Sequence, residues 1–450
     1  MDIFEKIGSL AKRRGFIYPG SEIYGGLAGT WDYGPLGVEL KRNIKEQFWK
    51  TIVQNHENVV GLDAAIMMNP KAWEASGHLE AFSDPLVECK KCHHRFREDE
   101  LKGEGCPDCK GGLTEPKQFN LMVEALLGVI EGEKQKVYLR GEITQGVHVN
   151  FKQVLNSTRV KIPFGIAQIG KAFRNEITPG GLTYRSREFE QMELQFYVSP
   201  EDDEANKWME YWKGQRREWY LSLGMKENNL RFREHAPNER AHYARAAFDI
   251  EFRIPETDEW KEMEGIHHRG EWDLSRHEKF SKEDLTYFDE EKKERFIPWV
   301  IETSGGVDRA ALFFLMNAYT EEKVTDNTQP TTDNKKQAAK EETRVVLKLH
   351  PKLAPYKVAI FPLLANKPEL VEKAQSIHDM LKKSWMVVFD ARGNIGKRYR
   401  AQDEAGTPFC VTIDFDTMED DSVTIRDRDT MKQERIEIEK LEEYLKKKLE

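Results

Sequence analysis

A long polar segment divides this sequence into two parts that must fold around separate cores. Between residues 320 and 344 the apolar side chains are only Val324, Ala338 and Ala339. Such a segment buries too little surface to offset the entropy lost on ordering, so it is predicted to be a flexible linker or long surface loop. The 450 residues are therefore expected to form domains at 1–319 and 345–450, joined by the linker 320–344.

The part before the linker mixes helical and strand patterns. Leu36 to Val53 has apolar residues at helical spacing, whereas Val137–Leu139 and Leu194–Val198 alternate as strands do. Strands mixed with helices and long insertions favour an α+β domain around an antiparallel sheet.

The part after the linker has short apolar runs between helical stretches. Strands are predicted at Val358–Phe361, Trp385–Phe389 and Phe409–Phe415. A helix is predicted at Pro368–Lys383, and Lys432–Leu449 is expected to end in a charged helix. This alternation favours a small α/β domain with a mostly parallel sheet.

Charge and targeting signals narrow the class of protein. The net charge of −9 argues against a protein that coats nucleic acid through bulk electrostatics, although local basic clusters can still bind it. No run of eighteen apolar residues and no signal peptide at the N-terminus are found. A cytoplasmic protein without a membrane span is therefore expected.

The cysteines indicate a metal site. Cys89-x2-Cys92 and Cys106-x2-Cys109 form two tight pairs, and Cys410 stands alone. Four thiolates are enough to close a tetrahedral structural zinc site, so residues 86–115 are predicted to form a zinc-ribbon-like insertion. The alternatives are a set of free thiols, or His93 or His94 as a substitute ligand.

An arginine-rich stretch suggests phosphate binding. Phe173-Arg174-Asn175-Glu176 is followed after a loop by Tyr184 to Glu193, with arginines, carboxylates and aromatics interleaved. A hairpin of this kind could place arginine forks on phosphates and an aromatic ring on a purine. The alternative is a solvated hairpin with internal ion pairs.

A glycine pair precedes an apolar helix later in the chain. In Glu302 to Arg309 the glycines allow backbone to approach a ligand closely, and the following helix N-terminus favours an anion. Arg309 would lie in the first turn, where a cation is unfavourable unless a phosphate lies beside it. The alternative is a plain turn-to-helix junction.

These two stretches resemble motifs 2 and 3 of the class II aminoacyl-tRNA synthetases. The helix Leu36–Val53, a strand Val59–Met67 and Pro70 resemble motif 1. Further segments are similar to the homodimeric glycyl-tRNA synthetase family, namely Arg14–Phe16, Pro19–Leu27, Trp31–Gly37, Trp73–His78, Arg187–Glu193, Gly393–Arg400 and Gly406–Phe409. The similarity spans nearly the whole chain except the linker. It implies a class II antiparallel-sheet catalytic domain with the zinc-ribbon-like insertion and a C-terminal α/β anticodon-binding domain.

The resemblance also implies a reaction and partners. Glycine would be activated by ATP, with Mg²⁺, to glycyl-adenylate and transferred to the 3′ end of tRNA(Gly), in a homodimeric enzyme. It implies catalytic roles for Arg174, Glu262 and Arg309. The implied ATP-binding residues are Arg174, Asn175, Glu176, Tyr184, Arg185, Ser186, Arg187, Glu188, Phe189, Glu262, Met263, Gly306, Val307, Asp308 and Arg309. The implied glycine-binding residues are Arg97, Glu142, Phe189, Glu190, Gln191, Met192, Glu193, Glu302, Thr303, Ser304, Gly305 and Gly306.

Individual roles follow from the same resemblance. Arg174 would hold the α-phosphate and the glycine carboxylate, and Phe189 would stack on adenine, with Glu176 orienting the adenine edge. Arg309 would hold the γ-phosphate, and Glu262 would bind magnesium. The histidines His148, His267 and His268 are expected only to pack or to form hydrogen bonds, and the basic residues Arg392, Lys397, Arg398 and Arg400 are expected to track tRNA phosphates unless they form a solvated loop.

Two departures and two alternatives accompany this hypothesis. The family commonly has proline where this chain has Gly141 and Thr303. One alternative is a binding paralogue without catalysis, which should have lost the residues that clamp ATP. The other is a class II enzyme that activates a different small amino acid or makes dinucleotide polyphosphates.

Overall fold

The computed structural model describes residues 1–101, 103, 105–240, 244–324 and 342–449. Residues 325–341, which make up most of the predicted linker, lie outside this description. Among the described helices, none has the length and apolar character required to span a membrane.

The elements alternate irregularly along the first part of the chain and more regularly along the second. The α-helices over the described residues are α1 Ile3–Arg14, α2 Pro35–Trp49, α3 Pro70–Ala75, α4 His78–Ala81, α5 Thr144–Val149, α6 Phe151–Ser157, α7 Asp202–Ser222, α8 Trp272–Ser281, α9 Val307–Ala318, α10 Pro368–Leu381, α11 Ile395–Ala405, α12 Thr417–Asp420 and α13 Ile438–Leu449. Single 3-10 turns lie at Glu22–Tyr24, Glu98–Glu100, Leu182–Tyr184 and Glu227–Asn229, and a π turn extends α2 over Lys50–Gln54.

The strands form one large sheet and several small ones. They are β1 Ile17–Pro19, β2 Trp31–Tyr33, β3 Val59–Gly61, β4 Ser83–Glu88, β5 Arg95–Arg97, β6 Lys117–Asn120, β7 Val123–Leu127, β8 Gln135–Leu139, β9 Phe164–Phe173, β10 Glu188–Val198, β11 Leu230–Glu234, β12 Ala246–Arg253, β13 Trp260–Gly270, β14 Tyr287–Asp289, β15 Glu294–Phe296, β16 Trp299–Gly306, β17 Tyr319–Val324, β18 Glu342–Leu347, β19 Val358–Pro362, β20 Val387–Phe389, β21 Phe409–Ile413, β22 Ser422–Asp427 and β23 Gln433–Glu437.

The large sheet is the antiparallel sheet expected of the first domain. Its strand order is β11-β12-β13-β16-β10-β9-β3, and every neighbouring pair is antiparallel except β3 with β9. Side chains alternate between its two faces. On β10 the residues Met192, Leu194 and Phe196 are fully buried in the core that also contains α2 and α9. The intervening Glu193 and Gln195 are polar, so the opposite face of the sheet is available for a polar site.

The segment that resembles motif 1 differs in detail from its prediction. The predicted helix to Val53 is present as α2 and the π turn, but the predicted strand Val59–Met67 ends at Gly61. Parallel pairing with β9 stops there because the amide of Ala64 donates 2.8 Å to the side-chain oxygen of Gln168 instead of continuing the backbone ladder. Met67 returns to strand pairing only as an isolated bridge to Leu139.

The C-terminal part contains a second core. Its sheet has the order β20-β19-β21-β22-β23, parallel over the first three strands and antiparallel over the last two. The expected parallel core is therefore limited to three strands, and β22, β23 and α11 were not predicted. The charged helix expected at the end of the chain is α13.

The two parts are joined more closely than a linker alone requires. The ends of the predicted linker are strands, because β17 and β18 pair from Tyr319↔Leu347 to Val324↔Glu342. Leu347, Leu349 and Leu353 pack into the first core, and the second core begins at Val358.

Charged side chains also cross the junction between the two parts. Asp403 on α11 accepts from Arg344 on β18 at 3.0 Å and from Arg426 on β22 at 2.8 and 3.0 Å. Glu404 pairs with Arg13 and Arg14 at the end of α1.

Candidate active site

A cavity of about 500 Å³ opens over the polar face of the large sheet. Most of the residues expected to bind ATP or glycine line it: Arg97, Glu142, Arg174, Glu176, Tyr184, Arg185, Ser186, Phe189, Glu190, Gln191, Glu193, Glu262, Glu302, Ser304, Gly306, Asp308 and Arg309. One end of the cavity is rich in carboxylates, and the other end is rich in arginines and aromatic rings.

The acidic end is set by strand register. Glu193 of β10 lies opposite Ser304 of β16, and Gln195 lies opposite Glu302, so both carboxylates belong to the same face. Ser304 donates to Glu193 at 2.6 Å. The hydroxyl of Thr144, at the start of α5, lies 2.6 Å from Glu193 and 3.0 Å from Glu302 and donates its one proton to one of them at a time, which holds the two carboxyl groups next to each other.

Glu302 is kept ionised by a buried ion-pair network. Burial opposes its charge, but Arg269 at 3.1 Å and His267 at 2.7 Å outweigh that effect and hold its pKa well below the usual value. Arg269 also pairs with Asp273 on α8 at 2.7 Å, and all of these groups except His267 are almost completely buried. The network fixes one negative charge at the floor of the cavity.

Glu193 has the opposite electrostatic balance. Burial, together with the neighbouring charges of Glu302 and Glu142, raises the pKa of Glu193 to about 8. A carboxyl group whose pKa lies close to neutral pH can ionise when a cationic ligand binds, because the added positive charge stabilises the ionised form.

Glu142 supplies the third carboxylate of the acidic end. Burial disfavours its charge, but His78 at 3.3 Å, followed by Arg269, lowers its pKa to about 2. The Nδ1 of His78 shares a 2.8 Å hydrogen bond with Ser76. The neighbouring Gly141, where the family commonly has proline, accepts from Arg174 Nε through its carbonyl at 3.1 Å.

The other end of the cavity carries the cations. Arg174, just after β9, lies between the rings of Phe82 and Phe189, 5.1 and 5.3 Å from their centres. Arg309 in the first turn of α9 pairs with Glu262 at 2.8 Å and lies 4.6 Å from the centre of the Tyr184 ring. The positive charge of Arg309 has the largest effect on Glu262 and lowers its pKa, although burial opposes this effect.

The cysteine-containing insertion reaches this end of the cavity. Its strands β5, β4 and β6 form a small sheet over residues 83–120. Arg97 on β5 pairs with Asp84 at 2.7 Å, and both line the cavity. Glu100 pairs with Arg185 of the loop between β9 and β10.

Strand alternation turns several expected site residues away from the cavity. Met192, Thr303, Met263 and Val307 are fully buried, and Gly305 presents no side chain to it; none of these five is among the lining residues. Asn175, Arg187 and Glu188 line a separate hollow behind the hairpin. Arg187 donates to the carbonyls of Glu176 and Ala28, which makes it a brace for the hairpin.

Several residues that organise the site were not predicted. They are Lys41, His78, Thr144, Gln195, Arg269 and Asp273. A signal existed for Lys41, because it interrupts the apolar face of α2 between Leu40 and Ile44. The others are polar residues in strands or short helices, and only the three-dimensional pairing reveals them. Of the three histidines expected to pack or to form hydrogen bonds, His267 forms a hydrogen bond with Glu302 from the cavity lining.

The basic residues expected to meet tRNA differ in exposure. Arg392 has a 96% exposed side chain, and Lys397 is also exposed. Arg398 is only 2% exposed and donates to the carbonyls of Pro362 and Gly393, so the prediction that it contacts phosphate is wrong. Its guanidinium instead fixes the start of α11.

The four paired cysteines lie together in the insertion. Sγ atoms of Cys89 and Cys109 are 3.5 Å apart, those of Cys92 and Cys106 are 3.6 Å apart, and all four lie within 4.8 Å of one another. Zinc–sulfur bonds of about 2.3 Å in a tetrahedron require sulfurs separated by about 3.8 Å, so the cluster fits such a centre. The amides of Lys91 and Cys92 also point at Cys89 Sγ, as suits a thiolate.

Known families match both parts of the chain. Residues 128–318 match the family described as the tRNA synthetase class II core domain (G, H, P, S and T). Residues 357–448 match the family described as the anticodon binding domain.

Relatives with curated names cover the chain from end to end. A glycine–tRNA ligase of Thermobifida fusca is 50% identical over 100% of this chain and 98% of its own length. One of Streptomyces coelicolor is 49% identical over 100% of this chain and 99% of its own. One of Borrelia garinii subsp. bavariensis is 50% identical over 98% of this chain and 96% of its own. About half of the residues are identical to those of these ligases along the whole chain, and the class II core matches the region of the large sheet. The chain therefore belongs to the glycine–tRNA ligase family of class II aminoacyl-tRNA synthetases.

Proposed function

We propose that this chain activates glycine with ATP in the cavity over the large sheet and transfers the glycyl group to tRNA(Gly). The observation that carries the proposal is the polarity of the cavity. Three carboxylates occupy one end and Arg174, Phe189 and Arg309 lie at the other, which suits a small ammonium-bearing substrate beside a triphosphate.

Glycine would bind at the acidic end. Glu142 and Glu302 are ionised there and would grip its ammonium group by charge-assisted hydrogen bonds, with Glu193 ionising on binding. Thr144 and Ser304 tie these carboxylates in place and occupy the adjoining space. A larger side chain would have to displace a bonded carboxylate, so selection for glycine would come from absent space.

ATP would bind at the basic end. Adenine would stack on Phe189, next to Glu176, and the α-phosphate would meet Arg174, which the flanking rings hold in place. Arg309 would hold the γ-phosphate from the start of α9, where the helix dipole also favours an anion.

The chemistry would proceed without a protein nucleophile. A carboxylate oxygen of glycine attacks the α-phosphorus, the bond to the bridging oxygen breaks, and pyrophosphate leaves. A terminal ribose hydroxyl of the tRNA then attacks the glycyl carbonyl carbon, losing its proton, and AMP leaves. The contribution of Arg174 and Arg309 is to position the phosphates and neutralise the charge that develops on them.

A magnesium ion is the expected companion of the nucleotide. Glu262 lines the cavity and its side chain is 48% exposed, so it offers the oxygen ligand that Mg²⁺ prefers. Magnesium bound there would add positive charge beside the phosphates.

We also propose that the four cysteines hold a structural zinc ion. Four thiolates leave no open coordination position, so this centre would shape the insertion and take no part in the reaction. None of the five cysteines, all of them among the described residues, forms a disulfide, which supports our proposal that the protein works in the reducing cytoplasm.

We propose that the catalytic and tRNA-binding functions lie in different domains of the chain. Residues 1–319 would carry the catalytic domain, with 86–115 as its insertion, and the segment 320–344 would link it to an anticodon-binding domain within 345–450. The exposed Arg392 and Lys397 are suited to meet tRNA phosphates there. A homodimer is proposed from the motif 1 resemblance of α2 and β3, and light scattering of the purified protein would test it.

The decisive experiment is amino-acid-dependent exchange of labelled pyrophosphate into ATP, with all twenty amino acids. Exchange with glycine alone is expected. Exchange with another amino acid instead would contradict the glycine site while keeping the reaction class. A folded, metal-loaded sample that shows no exchange would favour the binding paralogue. Charging of tRNA(Gly) with labelled glycine then tests the second step.

A further inference from the structure

Lys41 of α2 is a buried cation behind the cavity wall. It forms ion pairs with Glu190 on β10 and with Asp308 on α9. Lys41 is 8% exposed. Its Nζ is 2.8 Å from Asp308 Oδ1 and 2.8 Å from Glu190 Oε2, and it lies 4.1 Å from the centre of the Tyr33 ring. Lys41 is not itself among the residues that line the cavity, whereas its partners Asp308 and Glu190 are, so it acts on the cavity through them.

Asp308 makes a second contact that fixes the backbone of β10. Its Oδ2 accepts from the amide of Glu190 at 2.5 Å. The ladder between β10 and β16 stops one residue short of Glu190, at Gln191↔Gly306. The Asp308 carboxylate therefore takes the place of the next strand partner and ties the Phe189–Glu190 stretch to the first turn of α9.

Lys41 is charged in this setting. Burial alone would lower its pKa, but Asp308 and then Glu190 outweigh burial and raise it. The same ammonium lowers the pKa of Glu190 against the effect of burial. Without this cation, Asp308 would lose its described ion pair and Glu190 would keep only the one with Lys45, beside a cavity proposed to hold a triphosphate, where like charges repel.

We infer that Lys41 is a positioning residue for ATP: it holds Asp308 and Glu190 so that the adenine platform Phe189 and the phosphate ligand Arg309 keep a fixed separation. The inference rests on the proposed function of the cavity. Phe189 precedes Glu190, and Arg309 follows Asp308, so the two groups that would hold opposite ends of ATP are each one residue away from a partner of Lys41.

The neighbouring Lys45 provides a matched control. It lies one turn further along α2 and pairs with Glu190 Oε1 at 3.0 Å, but its side chain is 33% exposed. Its described ion pair is with Glu190 alone, whereas Lys41 pairs with Glu190 and Asp308. Comparing Lys41→Met with Lys45→Met therefore separates the bridge to α9 from simple pairing with Glu190.

The first test is the glycine-dependent pyrophosphate exchange of both variants, with magnesium–ATP binding measured by calorimetry. For Lys41→Met, the KM and Kd for ATP are expected to rise about tenfold or more, while the KM for glycine changes less than threefold. Lys45→Met should keep the KM for ATP within twofold of wild type. A Lys41→Met enzyme with the wild-type KM and Kd for ATP would overturn the inference.

A second variant guards against misfolding and against a purely structural role. Asp308→Asn keeps an oxygen acceptor for the Glu190 amide but loses the ion pair with Lys41. If the pair acts as one unit, the double variant should weaken ATP binding no more than the worse single variant. If the fold-changes in the Kd for ATP of the two single variants multiply in the double variant, the inference is contradicted. Wild-type protein that lacks exchange but binds ATP would count against the proposed function alone, since calorimetry still tests Lys41.

Discussion

At the scale of single residues, the acidic end of the cavity makes glycine binding depend on pH. Glu193, whose pKa burial and neighbouring carboxylates raise to about 8, is largely protonated at pH 7. It must release that proton when an ammonium group arrives. Between pH 7 and pH 8 its ionised fraction rises from about one tenth to about one half, so the KM for glycine should fall roughly fivefold.

Pyrophosphate exchange at a series of glycine concentrations and pH values measures this effect. The KM for ATP serves as an internal reference and should stay nearly constant over the same range. Glu193→Gln, which cannot ionise, should have a raised KM for glycine that no longer changes with pH. A wild-type KM for glycine that is flat between pH 7 and 8.5 would contradict the assignment.

The motifs in the sequence indicated which residues would lie near one another, but not the direction of each side chain. Arg174, Phe189 and Arg309 line one cavity. Met192 and Thr303 belong to the same motifs and face away, because neighbouring positions on a strand point to opposite faces. Arg269, which supports Glu302, lies on another strand 33 residues away in the sequence, so no local pattern indicated their ion pair.

At the scale of elements, the first turn of α2 packs directly against the backbone of the segment before β1. A Cβ atom at Gly37, in the first turn of α2, would lie 1.8 Å from the carbonyl oxygen of Phe16. We expect Gly37→Ala to lower the free energy of unfolding by about 3 kcal/mol, since the obstacle is backbone. Urea unfolding followed by tryptophan fluorescence measures the change.

Gly214, in the middle of α7, is the matched control for that substitution. A Cβ atom there meets no atom within 4 Å. Gly214→Ala is expected to stabilise the protein by roughly 0.5–1 kcal/mol, because alanine is the better helix former. Equal effects at the two positions would show that α2 can shift to accommodate a methyl group.

The insertion should depend on its metal. Replacement of Cys106, which is fully buried among the four thiols, by serine is expected to abolish zinc binding, measured by elemental analysis. The KM for ATP should rise as well, because Arg97 and Glu100 of the insertion contact the cavity region. Cys410→Ser, in the C-terminal core, should keep one zinc per chain. A Cys106→Ser protein with full zinc content would refute the four-thiolate centre.

Elements were predictable where a pattern was long or repeated. The helix at 36–53 and the first three C-terminal strands follow from apolar spacing and are present. The strands β22 and β23 carry many charges on their exposed side, so their alternation was too weak to recognise. The helix α11 was missed for a similar reason, because its basic residues suggested a loop.

At the scale of the whole molecule, Asp403 joins the two cores. It is 1% exposed and accepts from Arg344 on one side and Arg426 on the other. Asp403→Asn would leave the buried guanidinium of Arg426 without its described counter-charge, a loss of about 3–5 kcal/mol, and would leave Arg344 paired with Glu322 alone. Scanning calorimetry should then show the C-terminal part unfolding in a separate, earlier transition.

Activity assays complete that prediction. Charging of tRNA should weaken because it needs both parts of the chain, whereas pyrophosphate exchange should remain close to wild type. Asp379→Asn is the control, since the side chain of Asp379 is 49% exposed and pairs with Lys382, which is 53% exposed; its effect should stay below about 0.5 kcal/mol. A single unchanged transition for Asp403→Asn would show that the two parts still unfold together without the ion pairs of Asp403, and would contradict the prediction.

The division of the chain into two cores was evident from composition, but the contacts between them were not. Leu347, Leu349 and Leu353 come after the polar segment and yet pack with the first core. Their attachment depends on β18 pairing back onto β17, a contact across a long sequence separation that apolar periodicity does not reveal.

That pairing has a consequence for how such a chain tolerates change. Val324 and Glu342 are partners in the ladder, so the two ends of the intervening stretch are neighbours in space. The stretch can therefore lengthen or shorten without altering the distance that it must span. An inserted flexible peptide adds little cost, since each doubling of the length of a flexible loop costs only about 0.6 kcal/mol in closure entropy. Insertions and deletions should accumulate here during evolution, and a reporter peptide grafted into this stretch should leave the remainder of the protein undisturbed.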